Sequence, residues 1–171
     1  MIHKLNFWQI AGFVFTGLAG VLLHFLYDWS NRSIIVAPFS AVNESIWEHM
    51  KLLFFPMFTF ALAEYKFIGK SCDNFWCATL TSIILGLLLI PIIYYTYTGI
   101  FGVDADWFNI AIFFIASGVA YYVGYLLLKN RIALFQSDII AFVILCFIAV
   151  VFVVMTFVPL KIPLFQDTSK Q

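Results

Sequence analysis

Four stretches of this sequence contain no aspartate, glutamate, lysine or arginine over lengths that can cross a lipid bilayer. An α-helix needs about 20 apolar residues to traverse the roughly 30 Å of hydrocarbon in a membrane, and each of the four stretches is at least that long. They are Phe7–Tyr27, Asn74–Val103, Trp107–Leu128 and Ile139–Leu160. This pattern predicts four transmembrane helices.

The composition excludes an ordinary water-soluble domain. Hydrophobic residues make up 64% of the 171 residues and charged residues only 11%, whereas a soluble domain carries about 25% charged residues. The mean hydropathy is +1.01. A chain of this size cannot bury so much apolar surface within itself, so the lipid bilayer is its expected partner. The formal net charge is zero and there is no basic tract, so no nucleic acid partner is expected.

A fifth apolar stretch is too short to cross the membrane unless charged residues enter with it. Only twelve residues lie between Lys51 and Glu64, and as a helix they reach about 18 Å. If the stretch spans, one or both ends of its helix must contain ionisable residues: Glu48, His49 and Lys51 at the start, Glu64 at the end. Such groups are costly at that depth and are expected to be paired and to face protein or a wet cavity. A re-entrant loop is the alternative.

The sequence thus predicts an all-α fold, a polytopic transmembrane helix bundle with about five spans in a single domain over residues 1–171. The predicted helices are 7–28, 43–67, 75–98, 106–129 and 137–159. An odd number of spans places the two termini on opposite sides of the cell membrane. Five of the nine lysines and arginines fall on the N-terminal side, which favours a cytoplasmic N-terminus and an outside C-terminus: Lys4, Lys66, Lys70, Lys129 and Arg131.

Five residues of the first predicted helix recur every four positions and so lie along one ridge: Gly12, Thr16, Gly20, His24 and Asp28. Small residues on such a ridge allow a second helix to approach closely. The ridge ends in an ionisable pair, His24 and Asp28, one turn apart. Two interpretations stay open: a ligand or proton-relay pair at the mouth of a helix interface, or a hydrogen bond that caps the helix end.

The start of the second predicted helix concentrates polar residues within nine positions: Asn43, Glu44, Ser45, Glu48, His49 and Lys51. Asn43 is the expected N-cap, with Glu44 in the first turn. In that register Glu44 and Glu48 are like charges one turn apart, which is unfavourable unless something intervenes. Lys51, a bound cation or a proton on one carboxylate would each relieve the repulsion.

This segment and the ridge of the first helix together supply metal-binding side chains. The candidate metal ligands are His24, Asp28, Glu48 and His49, and a set of imidazoles and carboxylates suits a divalent zinc, iron or manganese ion. The spacing is not HExxH, in which two histidines lie one turn apart on one helix. A salt-bridged stripe at the water boundary is the simpler interpretation of the same residues.

The C-terminal tail, residues 159–167, is interrupted by prolines yet remains apolar. An apolar segment is expected to pack against protein rather than extend into water. With five spans the tail lies on the same side as the polar cluster, so we expect it to cover that cluster as a lid.

Three runs of the sequence carry a resemblance to a known family. They are Tyr27-Asp28-Trp29-Ser30, the motif Asn43-Glu44-Ser45-x-Trp47-Glu48-His49, and Pro163-Leu164-Phe165-x-Asp167 in the tail. Together they resemble an uncharacterised family of small multi-pass membrane proteins of Gram-positive bacteria, described as a domain of unknown function. The resemblance covers nearly the whole chain and implies a membrane location, and it supplies no activity.

Three classes of function fit these residues. The first is the binding or transport of a small polar or cationic ligand, and so short a chain would then form a homodimer or join other membrane subunits. Its ligand-binding or relay residues would be His24, Asp28, Asn43, Glu44, Ser45, Glu48, His49 and Lys51. The second is a metal-dependent intramembrane hydrolase acting on a lipid-type substrate, with Glu44 as general base and with the metal on His24, His49 and Asp28 or Glu48. The third is a non-catalytic structural or partner subunit.

Overall fold

Each apolar stretch of the sequence forms a helix in the computed structural model, which describes residues 2–135 and 137–168 and only the backbone of Ile2 and Asp106. Within that range the chain has no strand and five α-helices: α1 Ile2–Trp29, α2 Ile46–Phe67, α3 Phe75–Phe101, α4 Asp106–Lys129 and α5 Asp138–Phe157. Two short 3₁₀ turns, Gly69–Ser71 and Pro163–Phe165, follow α2 and α5. The predicted all-α bundle is confirmed.

Four of the helices in the described part of the chain contain a segment long and apolar enough to cross a membrane: His3–Trp29, Phe75–Phe101, Trp107–Lys129 and Asp138–Phe157. The helix α2 is as long as a membrane-crossing helix but carries four charged residues: Glu48, Lys51, Glu64 and Lys66. Its 22 residues measure about 33 Å along the axis. The arrangement agrees with a multi-pass membrane protein of about five spans.

The helices pack so that α2 and α3 lie inside the bundle. The helix α1 contacts α2 and α4, whereas α3 contacts α2, α4 and α5. In the most apolar 18-residue segment of each helix, 22% of α1 and 17% of α5 is buried inside the protein, compared with 50% of α3. The remaining surfaces of α1 and α5 are apolar and exposed, as is expected of helices that face lipid.

The ridge of α1 is where the other helices come close. A Cβ atom on Gly12 would lie 2.5 Å from Cε1 of Tyr121, and one on Gly20 would lie 2.5 Å from Cζ of Phe113. Thr16, between them, is fully buried and its hydroxyl is hydrogen-bonded to that of Tyr121 at 2.8 Å. The small residues thus allow aromatic rings of α4 to pack directly on the α1 backbone.

Both ends of α2 bring ionisable side chains into the protein interior. Glu48 is 2% exposed and Lys51 is 0% exposed at the start of the helix, and Glu64 is 4% exposed near its end. The short apolar stretch therefore becomes a full-length helix with polar groups at both ends, and these groups face protein rather than lipid.

Candidate metal centre at the start of α2

The helix α2 begins later than the sequence indicated. Ser45 is the N-cap, and its hydroxyl accepts a hydrogen bond from the Glu48 amide at 3.4 Å. Asn43 does not cap the helix; its Oδ1 accepts a hydrogen bond from the Ser45 amide at 2.9 Å and closes a turn before the helix. The prediction of Asn43 as the N-cap is therefore wrong. Glu44 precedes the helix, so the two glutamates are not one turn apart on a helix, as the predicted register required.

Glu44 instead lies between two histidines from different helices. Its Oε1 is 3.7 Å from Nε2 of His24 on α1, and its Oε2 is 3.6 Å from Nε2 of His49 on α2. The two imidazole rings are 5.7 Å apart between centroids. One ligand atom from each of the three residues can be chosen so that all lie within 4.8 Å of one another.

The orientation of His49 is fixed by the backbone. Its Nδ1 lies 2.9 Å from the carbonyl oxygen of Ser45, and a carbonyl oxygen only accepts, so Nδ1 carries the proton and donates. In the neutral ring Nε2 is then a bare lone pair that faces the carboxylate of Glu44. Two acceptors facing each other are unfavourable, and a cation placed between Nε2 and Glu44 would remove that repulsion.

The turn of α1 that carries His24 is held by the loop before α2. The buried hydroxyl of Ser40 accepts a hydrogen bond from the Tyr27 amide at 2.8 Å and donates to the carbonyl of Leu23. These two backbone groups flank His24 on the same turn. The loop that precedes Glu44 therefore positions the first histidine of the group as well.

Glu48 and Lys51 form a separate, buried ion pair. Nζ of Lys51 lies 2.6 Å from Oε2 of Glu48, and it also donates to the carbonyl of Ala37 at 2.8 Å and to the Thr156 hydroxyl at 3.1 Å. The same Oε2 of Glu48 accepts a hydrogen bond from the Val42 amide at 3.0 Å. The pair ties α2 to the preceding loop and to α5, and it leaves Glu48 turned away from His24 and His49.

The sequence-predicted metal ligands are therefore divided by the structure. His24 and His49 meet, whereas Glu48 belongs to the buried ion pair. Asp28 lies on the exposed end of α1, with Oδ1 3.5 Å from Nε of Arg32 and a side chain that is 74% exposed. Among the described residues, the carboxylate that joins the two histidines is Glu44, which the sequence predicts as a ligand-binding or relay residue and, in the hydrolase scheme alone, as the general base.

A narrow cleft opens beside the histidines, between α2, α3, α4 and the tail. Its walls include Tyr94 and Asn109, and its interior has room for about one water-sized sphere. Burial acts to raise the pKa of the nearby Asp104, but hydrogen bonds from Asn109, Tyr97 and Tyr94 outweigh it and hold the pKa below the ordinary aspartate value. Both oxygens of Asp104 accept hydrogen bonds, and two of the donors, Tyr94 and Asn109, line the cleft.

The C-terminal tail lies over this end of the bundle, as the sequence had led us to expect. The Thr168 hydroxyl donates to the carbonyl oxygen of Glu44 at 2.8 Å, and Thr168 also lines the cleft. The ring of Phe165 stacks on Trp47, with centroids 4.6 Å apart. The tail therefore contacts the segment that carries Glu44.

Sequence reasoning did not identify the partner of Glu64 at the far end of α2. Glu64 is buried and accepts a hydrogen bond from Nε2 of Gln9 at 2.8 Å. The signal that could have found it is the spacing of α1, where Gln9 and Thr16 are seven residues apart and therefore share the face that packs on α2 and α4.

The fold and these polar groups define a multi-pass helical membrane protein with a histidine and glutamate cluster at the start of its second helix. The chain belongs to a family of unknown function, DUF6512, whose model matches residues 1–171. This confirms the expected membership of an uncharacterised family. No curated protein and no solved structure matches the chain.

Proposed function

We propose that this protein binds a divalent transition-metal cation, of the zinc or iron class, through His24, Glu44 and His49. The observation that carries the proposal is that ligand atoms of these three residues lie within 4.8 Å of one another although they come from α1, from the loop before α2 and from α2. Two imidazoles and one carboxylate are a ligand set used by zinc enzymes and by non-haem iron sites.

The distances favour a shared cation over direct hydrogen bonds. Separations of 3.7 and 3.6 Å between the histidine nitrogens and the Glu44 oxygens exceed the usual length of a hydrogen bond. Two atoms bound at about 2.0–2.2 Å to one tetrahedral zinc lie about 3.3–3.6 Å apart. The two separations are close to that range, but each is to a different oxygen of Glu44, and a set of one atom per residue lies within 4.8 Å, so small side-chain movements would complete the site. A metal-bound imidazole characteristically donates a hydrogen bond from its other ring nitrogen to a carbonyl or carboxylate, as Nδ1 of His49 does to the Ser45 carbonyl.

The place of the site favours capture of a cation from the aqueous side. Glu44 is about half exposed, at 46%, while His24 and His49 are 27% and 19% exposed, so water reaches the group from one side. We place the N-terminus in the cytoplasm, and this site then faces outward. A role in binding or transport follows, and transport by so short a chain would require a homodimer or other membrane subunits.

A metal-dependent hydrolase acting on a lipid-type substrate is the second candidate. Three protein ligands are the number found at catalytic zinc sites, where the fourth position is left for water or substrate. In this scheme Glu44 would be a ligand, and the general base would have to come from another group at the cleft. Hydrolysis that follows the metal content of the protein would favour this candidate over simple binding.

The proposal is tested by measuring metal content and affinity in detergent-purified protein. After chelation, wild type, His24→Ala/His49→Ala, Glu44→Gln and Asp28→Asn are titrated with Zn²⁺ and with Fe²⁺. We expect about one ion per chain in wild type and in Asp28→Asn. Loss of a group that only hydrogen-bonds to a metal ligand costs about 10–100-fold in metal affinity, so loss of Glu44 or of both histidines should cost more.

Asp28→Asn is the matched control, because it also replaces a carboxylate near His24 but lies outside the three-residue group. Equal affinity in wild type and the double histidine variant would contradict the proposal. A third outcome is that wild type and the double histidine variant both contain no metal and that the variant unfolds at a lower temperature than wild type. Glu44 and His49 then form a plain ion pair, and the structural or partner role is favoured.

A further inference from the structure

A second polar site lies where α1, α2, α3 and α4 meet, at the opposite end of α2 from the two histidines. His49 and Glu64 are 15 residues apart on one helix, about 22 Å along its axis. Glu64 here accepts its hydrogen bond from Gln9 of α1. Nearby, Thr16 of α1 and Tyr121 of α4 share the hydrogen bond described above.

Glu64 has no counter-charge among the residues that the structure describes. The ion pairs in that part of the chain involve other residues, and Lys66, two positions further along α2, is exposed. The titratable groups that face Glu64 from neighbouring segments are Tyr121 of α4 and Cys72, just after the Gly69–Ser71 turn. Neither is a cation.

A small cavity adjoins this carboxyl group. Its polar lining consists of Gln9, Glu64, Thr79, Ser82 and Tyr121, and its interior has room for about one water-sized sphere. Gly124 leaves the space open, because a Cβ there would lie 2.8 Å from Oγ of Ser82 and 3.3 Å from Oε1 of Gln9. Carboxylate, amide and hydroxyl oxygens are hard ligands that suit a proton or a hard cation.

We infer that the cavity between Gln9 and Glu64 binds one monovalent cation, taken up as a proton on the Glu64 carboxyl or as Na⁺ among the surrounding oxygens. A buried carboxylate without a counter-charge is costly in a membrane protein, and one positive charge at this site, in either form, removes that cost. The inference does not rest on the metal centre, whose ligands are different residues at the other end of α2.

The test uses the full chain in lipid nanodiscs and a membrane-permeant carbodiimide, dicyclohexylcarbodiimide, which adds to protonated carboxyl groups in apolar surroundings. Labelled positions are identified by peptide mass. Wild type is compared with Glu64→Gln and with Asp73→Asn, an exposed carboxylate at the same end of the bundle and therefore a matched control. Melting temperatures are measured in parallel over a pH series and over Na⁺ concentrations balanced with choline.

We expect wild type and Asp73→Asn to be labelled at Glu64 and Glu64→Gln to be unlabelled. Labelling that falls several-fold as pH rises identifies the proton. Protection by Na⁺ at fixed pH, with a rise in melting temperature that Glu64→Gln lacks, identifies the sodium ion.

The inference is overturned if Glu64 stays unlabelled at every pH and Na⁺ concentration while wild type and Glu64→Gln respond alike in melting temperature. Glu64 would then be a fixed hydrogen-bonding group between α1 and α2.

Discussion

At the scale of single residues, two glutamates four positions apart have different partners because α2 begins between them. Glu48 lies in the first turn and points inward to Lys51, at 2.6 Å. Glu44 precedes the N-cap and remains half exposed between two imidazoles. One carboxylate is therefore satisfied within the fold, whereas the other remains able to share a cation.

The buried pair of Glu48 and Lys51 predicts a strongly non-additive pair of substitutions. Lys51→Met should leave Glu48 as an unpaired buried charge and destabilise the fold by about 3–5 kcal/mol, whereas the double variant Glu48→Gln/Lys51→Met should recover much of that loss. Thermal unfolding in detergent measures both. Arg32→Met is the control, because it breaks an exposed pair worth about 0–1 kcal/mol. Equal melting temperatures for the single and double variants would argue against the ion pair.

At the scale of helices, the sequence was most informative where one physical requirement decides the outcome. Length and absence of charge predicted the four apolar helices, and the shortness of the fifth stretch predicted buried ionisable groups in α2. The start of α2 was not predictable in the same way. Asn43 and Ser45 are both good caps, and the choice depends on the preceding loop, where Glu48 binds the Val42 amide and Ser40 binds α1.

The metal centre and the second polar site depended on contacts that no local pattern contains. The eight candidate site residues predicted from the sequence include His24, Glu44 and His49, but the predicted metal ligands did not include Glu44, because only the position of the N-cap determines which carboxylate faces the histidines. The pairing of Gln9 with Glu64 joins residues 55 positions apart. Such a pairing follows from how α1 lies on α2, which hydrophobic periodicity alone does not fix.

The ridge of α1 predicts a difference between two glycine-to-alanine substitutions. In Gly20→Ala the new Cβ would lie 2.5 Å from the Phe113 ring and 3.3 Å from the carbonyl oxygen of Leu52, so we expect a loss of about 1–3 kcal/mol from overpacking. Gly99→Ala in α3 meets no atom within 4 Å and should be neutral or stabilising by up to about 1 kcal/mol. Chemical or thermal unfolding ranks them, and the reverse order would refute the close approach of α4 to α1.

The connection between α3 and α4 predicts a dependence of stability on pH. The pKa of Asp104 is lowered in the folded protein, so its carboxylate stabilises the fold above the ordinary aspartate range, and that contribution is lost as pH falls through the folded pKa. The melting temperature of wild type should therefore fall more steeply on acidification than that of Asp104→Asn. Asp73→Asn, which changes an exposed carboxylate elsewhere, should follow wild type. Parallel curves for wild type and Asp104→Asn would contradict the prediction.

At the scale of the whole molecule, α2 is the element that decides how the chain is placed in the membrane. The other four helices are apolar enough to span by themselves, so the number of spans is five if α2 crosses and four if it does not. Only if α2 crosses the membrane do the polar sites at its two ends face opposite sides of the membrane.

The final prediction tests this directly with single cysteines in a background lacking Cys72, Cys77 and Cys146. Lys4→Cys and Lys161→Cys place exposed thiols in the first turn of α1 and after the end of α5. We expect a membrane-impermeant maleimide to label Lys161→Cys on intact cells and to label Lys4→Cys only after permeabilisation, because five spans with a cytoplasmic N-terminus separate the two positions. The opposite pattern would keep five spans and reverse the orientation. Equal labelling of both positions on intact cells, or of neither, would mean four spans and a re-entrant α2.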